Sequence, residues 1–188
     1  PALGLFLMTP ATLHGDEAAS AWVRRWSHLL PAGASVLDVA CGRGRHTRWF
    51  HALGHSVTAL DRSAEALAAI CLPPEHFEPV LADIEGSPWP LDGRQFDAIV
   101  VTNYLWRPLF QTLLAGIAPG GVLIYETFAT GNETVGKPSR PDFLLQAGEL
   151  LHLCQKLRTV AYEDGFEAGS GGAPGRFVQR IVAVRELP

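Results

Sequence analysis

The feature that most constrains the fold is an apolar run that ends in a glycine turn. Residues 36–40 are apolar apart from Asp38, and Cys41 and the turn Gly42-Arg43-Gly44 follow directly. Residues 45–53 then have the composition and spacing of a helix. Strand, tight turn and helix in this order are typical of an α/β sheet that presents a nucleotide-sized ligand at the carboxyl ends of its strands.

The turn does not fit two common nucleotide-binding motifs. The dinucleotide motif needs a third glycine where this chain has Thr47, and a P-loop needs a lysine where it has Arg45. A carboxylate at Asp38, just before the turn, would repel a pyrophosphate but suits an ammonium or a sulfonium group. The following helix still favours a carboxylate at its N-terminus. S-adenosylmethionine has an amino group, a carboxylate, a sulfonium and a ribose, and it satisfies all of these preferences.

Acids also follow the next two apolar runs. Residues 56–60 lead into Asp61, whose carboxylate can accept hydrogen bonds from both ribose hydroxyls, although NAD sites place an acid there too. Asp83 can accept from the adenine amino group, and Ile84 can pack on the purine face. Each acid has a simpler alternative role as a cap of the turn or helix beside it. The predicted cofactor contacts are Asp38, Ala40, Cys41, Gly42, Gly44, Asp61, Arg62, Asp83, Ile84 and Thr102.

Strand-like and helical segments alternate along most of the chain. The predicted helices are residues 16–30, 45–53, 64–70, 108–117 and 147–156, and the predicted strands are 35–40, 56–61, 79–83, 96–102, 122–125, 159–163 and 177–184. This alternation predicts a doubly wound, mostly parallel sheet with helices on both faces. The last two strands have only the Gly-rich join 164–176 between them, which predicts an antiparallel hairpin with a mobile loop. We expect one domain over 1–188, with a helical cover over 1–30 and a Rossmann-like core over 31–188.

These motifs resemble, in order, those of the class I S-adenosylmethionine-dependent methyltransferases. The resemblance rests on residues 36–44, Asp61, 81–83, 96–102 and 114–125, and it extends from about Val36 to Val184. It implies a Rossmann-like, seven-stranded sheet whose last strand is antiparallel, and S-adenosylmethionine as the cofactor. Residues 41–46, 148–150 and 162–164 are most similar to the small, tellurite-resistance-type methyltransferases.

Two segments are predicted to face the methyl acceptor. Tyr104 and Arg107 lie just past the fourth strand, on the substrate side of such sheets. Lys137 and Arg140 lie in the long polar loop after the fifth strand, where they could attract an anion such as a metalloid oxyanion. The first segment could instead be a loop whose aromatic side chains shield the core, and the second could be a solvated loop. On position alone, the candidates for a general base are His46, Tyr104 and Glu126.

Composition excludes several other classes. The formal net charge of -4 argues against a broad nucleic-acid-binding surface. The 3 cysteines fit neither a zinc pattern nor a closed disulfide framework, so we expect no metal and a reducing, cytoplasmic setting. No apolar run approaches the ~20 residues of a membrane span. The apolar start, residues 2–8, lacks the charged leading region of a signal peptide.

Three functions remain open from the sequence. The first is an S-adenosylmethionine-dependent methyltransferase that acts on a small molecule. The second is a non-catalytic domain that binds S-adenosylmethionine or S-adenosylhomocysteine. The third is an NAD-dependent oxidoreductase, against which Thr47 argues because it replaces the third glycine of the dinucleotide motif.

Overall fold

The computed structural model describes residues 18–169 and 174–187, and these form a seven-stranded sheet. The strands are β1 Ser35–Val39, β2 Ser56–Asp61, β3 Phe77–Leu81, β4 Phe96–Thr102, β5 Ile117–Phe128, β6 Arg158–Glu167 and β7 Arg176–Val184. Their order is β3-β2-β1-β4-β5-β7-β6. Of these strands, β7 alone runs in the direction opposite to the other six, and it pairs antiparallel with both β5 and β6. The predicted fold class, a Rossmann-like sheet with its last strand reversed, is confirmed.

The helices are present but shorter than the sequence predicts. They are α1 Ala21–Trp26, α2 Arg45–Ala52, α3 Ala64–Ala68, α4 Phe110–Ala115 and α5 Glu149–Leu153. Short 3-10 turns at Ser27–Leu29 and Arg107–Leu109 account for part of the difference. The predicted cover over 1–30 is described only from residue 18 onward, and residues 1–17 lie outside the described part. Among the described residues, no helix combines the length and apolar character that crossing a membrane requires.

Both faces of the sheet are covered. On one face, α4 and α5 bring Phe110 and Leu150 against Tyr125 of β5. On the other, α1 and α2 bring Trp22 and Phe50 against the strands. Residues 98–101 of β4 are completely buried, as expected for a central parallel strand that is covered on both faces.

The strand boundaries differ from the prediction where the apolar pattern is weak. β3 is an edge strand with exposed positions, and it ends at Leu81, two residues before Asp83. β5 begins earlier than predicted, at Ile117, through an irregular pairing with β4. The final hairpin extends to Glu167 and resumes at Arg176, so the join is shorter than predicted. Residues 170–173 of that join lie outside the described part.

Gly44 precedes α2 in a conformation that a larger residue would strain. Its φ is +77°, and a Cβ built there would lie 2.6 Å from Cδ1 of Ile70. Gly42 has a φ of +55° but nothing within 4 Å of its Cβ position. We therefore expect Gly44→Ala to lower the free energy of unfolding by about 2–4 kcal/mol, as backbone strain and overpacking add. Gly42→Ala should cost only about 1 kcal/mol, from backbone strain alone.

Urea unfolding of the two variants measures this difference. Ile70→Ala, which removes Cδ1, Cγ1 and Cγ2, the three atoms nearest to the Cβ built at Gly44, should cost about 2–4 kcal/mol in the wild type but much less in the Gly44→Ala background, because it relieves the contact there. Equal losses in the two glycine variants would show that Ile70 adapts and that the turn is not tightly packed.

Candidate functional site

A cavity of about 370 Å³ lies where β1 to β5 end. This is the edge at which parallel α/β sheets bind their ligands. The cavity is lined by Ala40, Leu60, Asp61, Arg62, Ala82, Asp83, Ile84, Glu85, Asn103, Tyr104, Leu105, Thr127, Phe128, Pro138 and Phe143. Among the predicted cofactor residues, the lining contains Ala40, Asp61, Arg62, Asp83 and Ile84 but not Asp38, Cys41, Gly42, Gly44 or Thr102.

Asp61 joins the glycine turn to the end of β2. Its Oδ2 accepts a hydrogen bond from the Gly42 N–H at 2.8 Å, and its Oδ1 accepts from the Ser63 N–H at 2.8 Å. The N-cap of α3 is Ser63, whose hydroxyl accepts from Ala66 N–H. Each carboxylate oxygen of Asp61 keeps a further lone pair for a ligand hydroxyl, so the capping alternative and ligand binding are compatible here.

Asp83 forms a similar turn on the neighbouring side of the cavity. Its Oδ1 accepts from the backbone N–H groups of Glu85 at 3.1 Å and Gly86 at 3.3 Å. The side chain still lines the cavity beside Ile84. The turn-capping alternative therefore coexists with a carboxylate and an apolar surface that are open to a ligand.

Asp38 lies behind the glycine turn and not in the cavity wall. Its side chain is buried, and the Thr47 hydroxyl donates to Oδ2 at 2.6 Å. Burial raises the pKa of this carboxyl to about 6, although the hydrogen bond from Thr47 opposes the shift. Two of the three predicted acids thus reach the cavity, and the third is buried outside its lining.

The raised pKa of Asp38 makes stability depend on pH. Because the native pKa exceeds the unfolded value, the folded state is favoured by protonation and loses stability as pH rises from about 4 through 6. The rise in pKa from 3.8 to about 6 corresponds to a loss of about 3 kcal/mol in the free energy of unfolding by pH 8. We expect Asp38→Asn to remove most of this loss in urea unfolding at pH 4 and pH 8. Parallel pH profiles for the variant and the wild type would contradict the assignment.

His46 connects the segment before α1 to the end of β4. The Ser20 N–H donates to Nε2 at 3.2 Å, so the neutral ring carries its proton on Nδ1, which lies 3.3 Å from Thr102 Oγ1. Burial and the neighbouring charge of Arg45 lower the pKa of His46 to about 3. Both ring nitrogens are thus engaged, and neither His46 nor Thr102 lines the cavity. In this arrangement His46 has no free lone pair with which to accept a proton.

The structure does not bring Glu126 to the cavity. Side chains alternate along β5, and Thr127 faces the cavity while Glu126 is buried on the other face. There the Arg180 Nε donates to Glu126 Oε2 at 2.5 Å. Arg180 also pairs with Glu163 and forms a short contact with Glu167. The prediction of Glu126 as a candidate general base is corrected. Its side chain has a structural role in this ion-pair cluster.

Tyr104 is the one base candidate that lines the cavity. Its hydroxyl donates to Glu85 Oε1 at 3.2 Å, and its backbone carbonyl accepts from the Tyr125 hydroxyl at 2.7 Å. Burial and the carboxylate of Glu85 raise the pKa of Tyr104 far above its usual range. Tyr104 therefore remains a phenol and can act as a hydrogen-bond donor, but it is a poor proton acceptor.

The three basic residues predicted to meet the acceptor lie outside the cavity lining. Arg107 donates to both carboxylate oxygens of Glu149 and to the carbonyls of residues 142 and 144. Arg140 pairs with Asp142 at 2.9 Å, and Lys137 is exposed. Arg107 thus ties the loop that carries Phe143 to α5, because its guanidinium binds both the carbonyls of that loop and the Glu149 carboxylate.

The predicted site lacks several residues that line the cavity. Glu85 follows Ile84, Thr127 and Phe128 end β5, and Pro138 and Phe143 lie in the following loop; the others are Leu60, Ala82, Asn103 and Leu105. The strand-end position of residues 127–128 is a signal that could have identified them. Nothing local distinguishes Phe143, which reaches the cavity only because its loop folds back over the sheet edge.

Part of the chain is similar to a known domain family. Residues 36–121 match a family model described as a methyltransferase domain. Among curated proteins, the malonyl-[acyl-carrier protein] O-methyltransferase of Enterobacter lignolyticus is 40% identical over 108 residues, which are 53% of this chain and 42% of that protein. The enzyme of the same name from Salmonella typhimurium is 35% identical over 105 residues, with shares of 53% and 41%. The chain thus spans less than half the length of these relatives.

Solved structures share the fold at low sequence identity. TehB from Haemophilus influenzae has a TM-score of 0.72 at 19% identity, covering 88% of this chain and 61% of that one. A TehB-like S-adenosylmethionine-dependent methyltransferase from Corynebacterium glutamicum has a TM-score of 0.61 at 17% identity, covering 88% and 87%. The glycopeptide N-methyltransferase MtfA, in complex with S-adenosylmethionine, has a TM-score of 0.60 at 21% identity, covering 89% and 92%.

Proposed function

We propose that this chain binds S-adenosylmethionine and transfers its methyl group to a small-molecule acceptor. The starting point is its match to a methyltransferase domain and its class I fold. The domain match and the sheet order confirm the resemblance to class I S-adenosylmethionine-dependent methyltransferases. The observation that carries the proposal is the cavity at the strand ends, with the carboxylates of Asp61 and Asp83 in its wall.

The residues in the wall match the parts of this cofactor. Asp61 offers carboxylate lone pairs to the ribose hydroxyls, and Asp83 offers them to the adenine amino group. Ile84 supplies an apolar surface for the purine. Asp38 adds a buried negative charge behind the turn, which favours the amino and sulfonium groups. The sulfonium supplies a good leaving group, so the chain contributes mainly by aligning the acceptor, and proximity can account for ~7 kcal/mol or more.

The NAD alternative is disfavoured by the same turn. Thr47, which replaces the third glycine, is completely buried and donates to Asp38. A dinucleotide would place its pyrophosphate close to that carboxyl group, where an ionised Asp38 would repel it. The cavity therefore fits a cationic cofactor better than a dinucleotide.

Most of the residues that we expect to face the acceptor lie outside the segment that matches the domain family. The family match ends at residue 121, before Thr127, Phe128, Pro138 and Phe143. The curated relatives are named for an acyl-carrier-protein substrate, and their alignments cover about half of this chain. A carrier-bound acceptor is therefore a second candidate beside a free small molecule.

Two measurements test the proposal. Calorimetry should give binding of S-adenosylmethionine and S-adenosylhomocysteine but not of NAD. Methyl-labelled donor should then yield labelled product with at least one member of a panel of thiols, phenols, amines, carboxylates and oxyanions. Binding of NAD without binding of S-adenosylmethionine would overturn the proposal, and binding without any turnover would favour a non-catalytic role.

A further inference from the structure

The charges in the cavity wall are predominantly negative. The lining contains the carboxylates of Asp61, Asp83 and Glu85 and one basic side chain, Arg62. All 15 lysines and arginines of the chain fall within the described ranges, because residues 1–17, 170–173 and 188 include none. Since Arg107 and Arg140 are paired with Glu149 and Asp142, an anionic acceptor would meet an acidic wall.

The cavity lining also has apolar and aromatic residues that the cofactor assignment leaves unused. Among these are Phe128, Phe143, Pro138 and the ring of Tyr104, and we expect this aromatic wall to face the acceptor. Aromatic faces attract a cation within about 6 Å of the ring centroid. This wall therefore accommodates a ring-bearing molecule and favours a positive charge beside it.

Methyl transfer has a different charge balance for each class of acceptor. When an anion is methylated, the positive charge of the sulfonium is lost, and an acidic wall no longer has a cation to stabilise. When an uncharged amine is methylated, the positive charge moves from sulfur to nitrogen and remains in the cavity. A carboxylate and aromatic rings beside the acceptor nitrogen stabilise the positive charge that develops there, so they stabilise the transition state of the second reaction more than its ground state.

Building on the proposed function, we propose that the acceptor is an amine carried on an aromatic body, held between the aromatic wall and Glu85. The uncharged nitrogen uses its lone pair to form the bond to the methyl carbon. The carbon–sulfur bond breaks, and its electron pair stays on sulfur as the thioether. The resulting ammonium then loses a proton to water or to the Glu85 carboxylate. An amine that binds as the ammonium first gives its extra proton to water or to the Glu85 carboxylate, because both ring nitrogens of His46 are engaged and Tyr104 stays a phenol.

The test compares three ligands that share one ring and differ in charge. Protein saturated with S-adenosylhomocysteine is titrated calorimetrically at neutral pH with benzylamine, benzyl alcohol and benzoate. We expect benzylamine to bind at least tenfold more tightly than benzoate, with the alcohol between them. Equal or tighter binding of benzoate would overturn the proposal, as would binding of none of the three. Failure of S-adenosylhomocysteine itself to bind would instead refute the proposed function.

A matched pair of variants assigns the preference to the cavity wall. Glu85→Gln should reduce the ratio of benzylamine to benzoate affinity by about threefold or more, because it removes one of the wall charges. Glu75→Gln changes an exposed acid outside the cavity lining and should leave the ratio unchanged. The same ratio in both variants would show that Glu85 does not hold the acceptor.

Discussion

Asp61→Ala should weaken S-adenosylmethionine binding by about 100-fold or more. The substitution removes the acceptor that we propose for both ribose hydroxyls, and it leaves the Gly42 and Ser63 N–H groups without their partner. Hydrogen bonds to a charged group contribute about 1.5–3 kcal/mol each, and about 1.4 kcal/mol corresponds to a factor of ten in affinity. Calorimetric titration of the purified variant with the cofactor measures the effect directly.

Two further variants define the cause of that loss. Asp92→Ala removes an exposed carboxylate outside the cavity lining and should leave the affinity unchanged. Asp61→Asn keeps one oxygen as an acceptor and should give an intermediate affinity. If Asp61→Ala unfolded like the wild type and bound the cofactor with the same affinity, the ribose assignment would be wrong.

Among the variants considered, Glu126→Ala is expected to lose the most stability, about 3–5 kcal/mol in the free energy of unfolding. Removing this carboxylate leaves the guanidinium of Arg180, whose side chain is only 11% exposed, without its most buried partner. A buried charge that loses its partner keeps its desolvation cost and has less to offset it. Urea denaturation of the variant measures the loss.

A surface ion pair provides the control for Glu126. Glu186 pairs with Arg158 at 2.5 Å, but the two side chains are 60% and 69% exposed. Glu186→Ala should therefore cost less than about 1 kcal/mol. Because Glu126 faces away from the cavity, its variant should also retain cofactor affinity. Similar losses for the two glutamates, or a large loss of affinity in Glu126→Ala, would contradict the location assigned here.

The central strands and the glycine turn could be predicted because their signals are local. The bounds of β4 agree with the prediction, since a strand covered on both faces is a continuous apolar run. Asp61 and Asp83 were found because the carboxyl ends of parallel strands meet at one edge. The helices were predicted too long, because apolar spacing does not distinguish an α-helix from the 3-10 turn at Arg107–Leu109.

The remaining features depend on partners far apart in sequence. Arg107 is held by Glu149, 42 positions away, and nothing near either residue indicates that pairing. Glu126 lies in a strand that is buried on both faces, so the sequence does not reveal which face its side chain occupies. Asp38 precedes Thr47 by 9 positions, and the hydrogen bond between them requires the turn to bring α2 back over β1.

The most direct test of the central claim is a crystal structure of the protein with S-adenosylhomocysteine. We expect the ribose hydroxyls within hydrogen-bond distance of the Asp61 carboxylate and the adenine between Asp83 and Ile84, in the cavity at the ends of β1 to β5. A saturated crystal with this cavity empty, or with the ligand bound elsewhere on the molecule, would contradict the claim that these residues form a methyl-donor site.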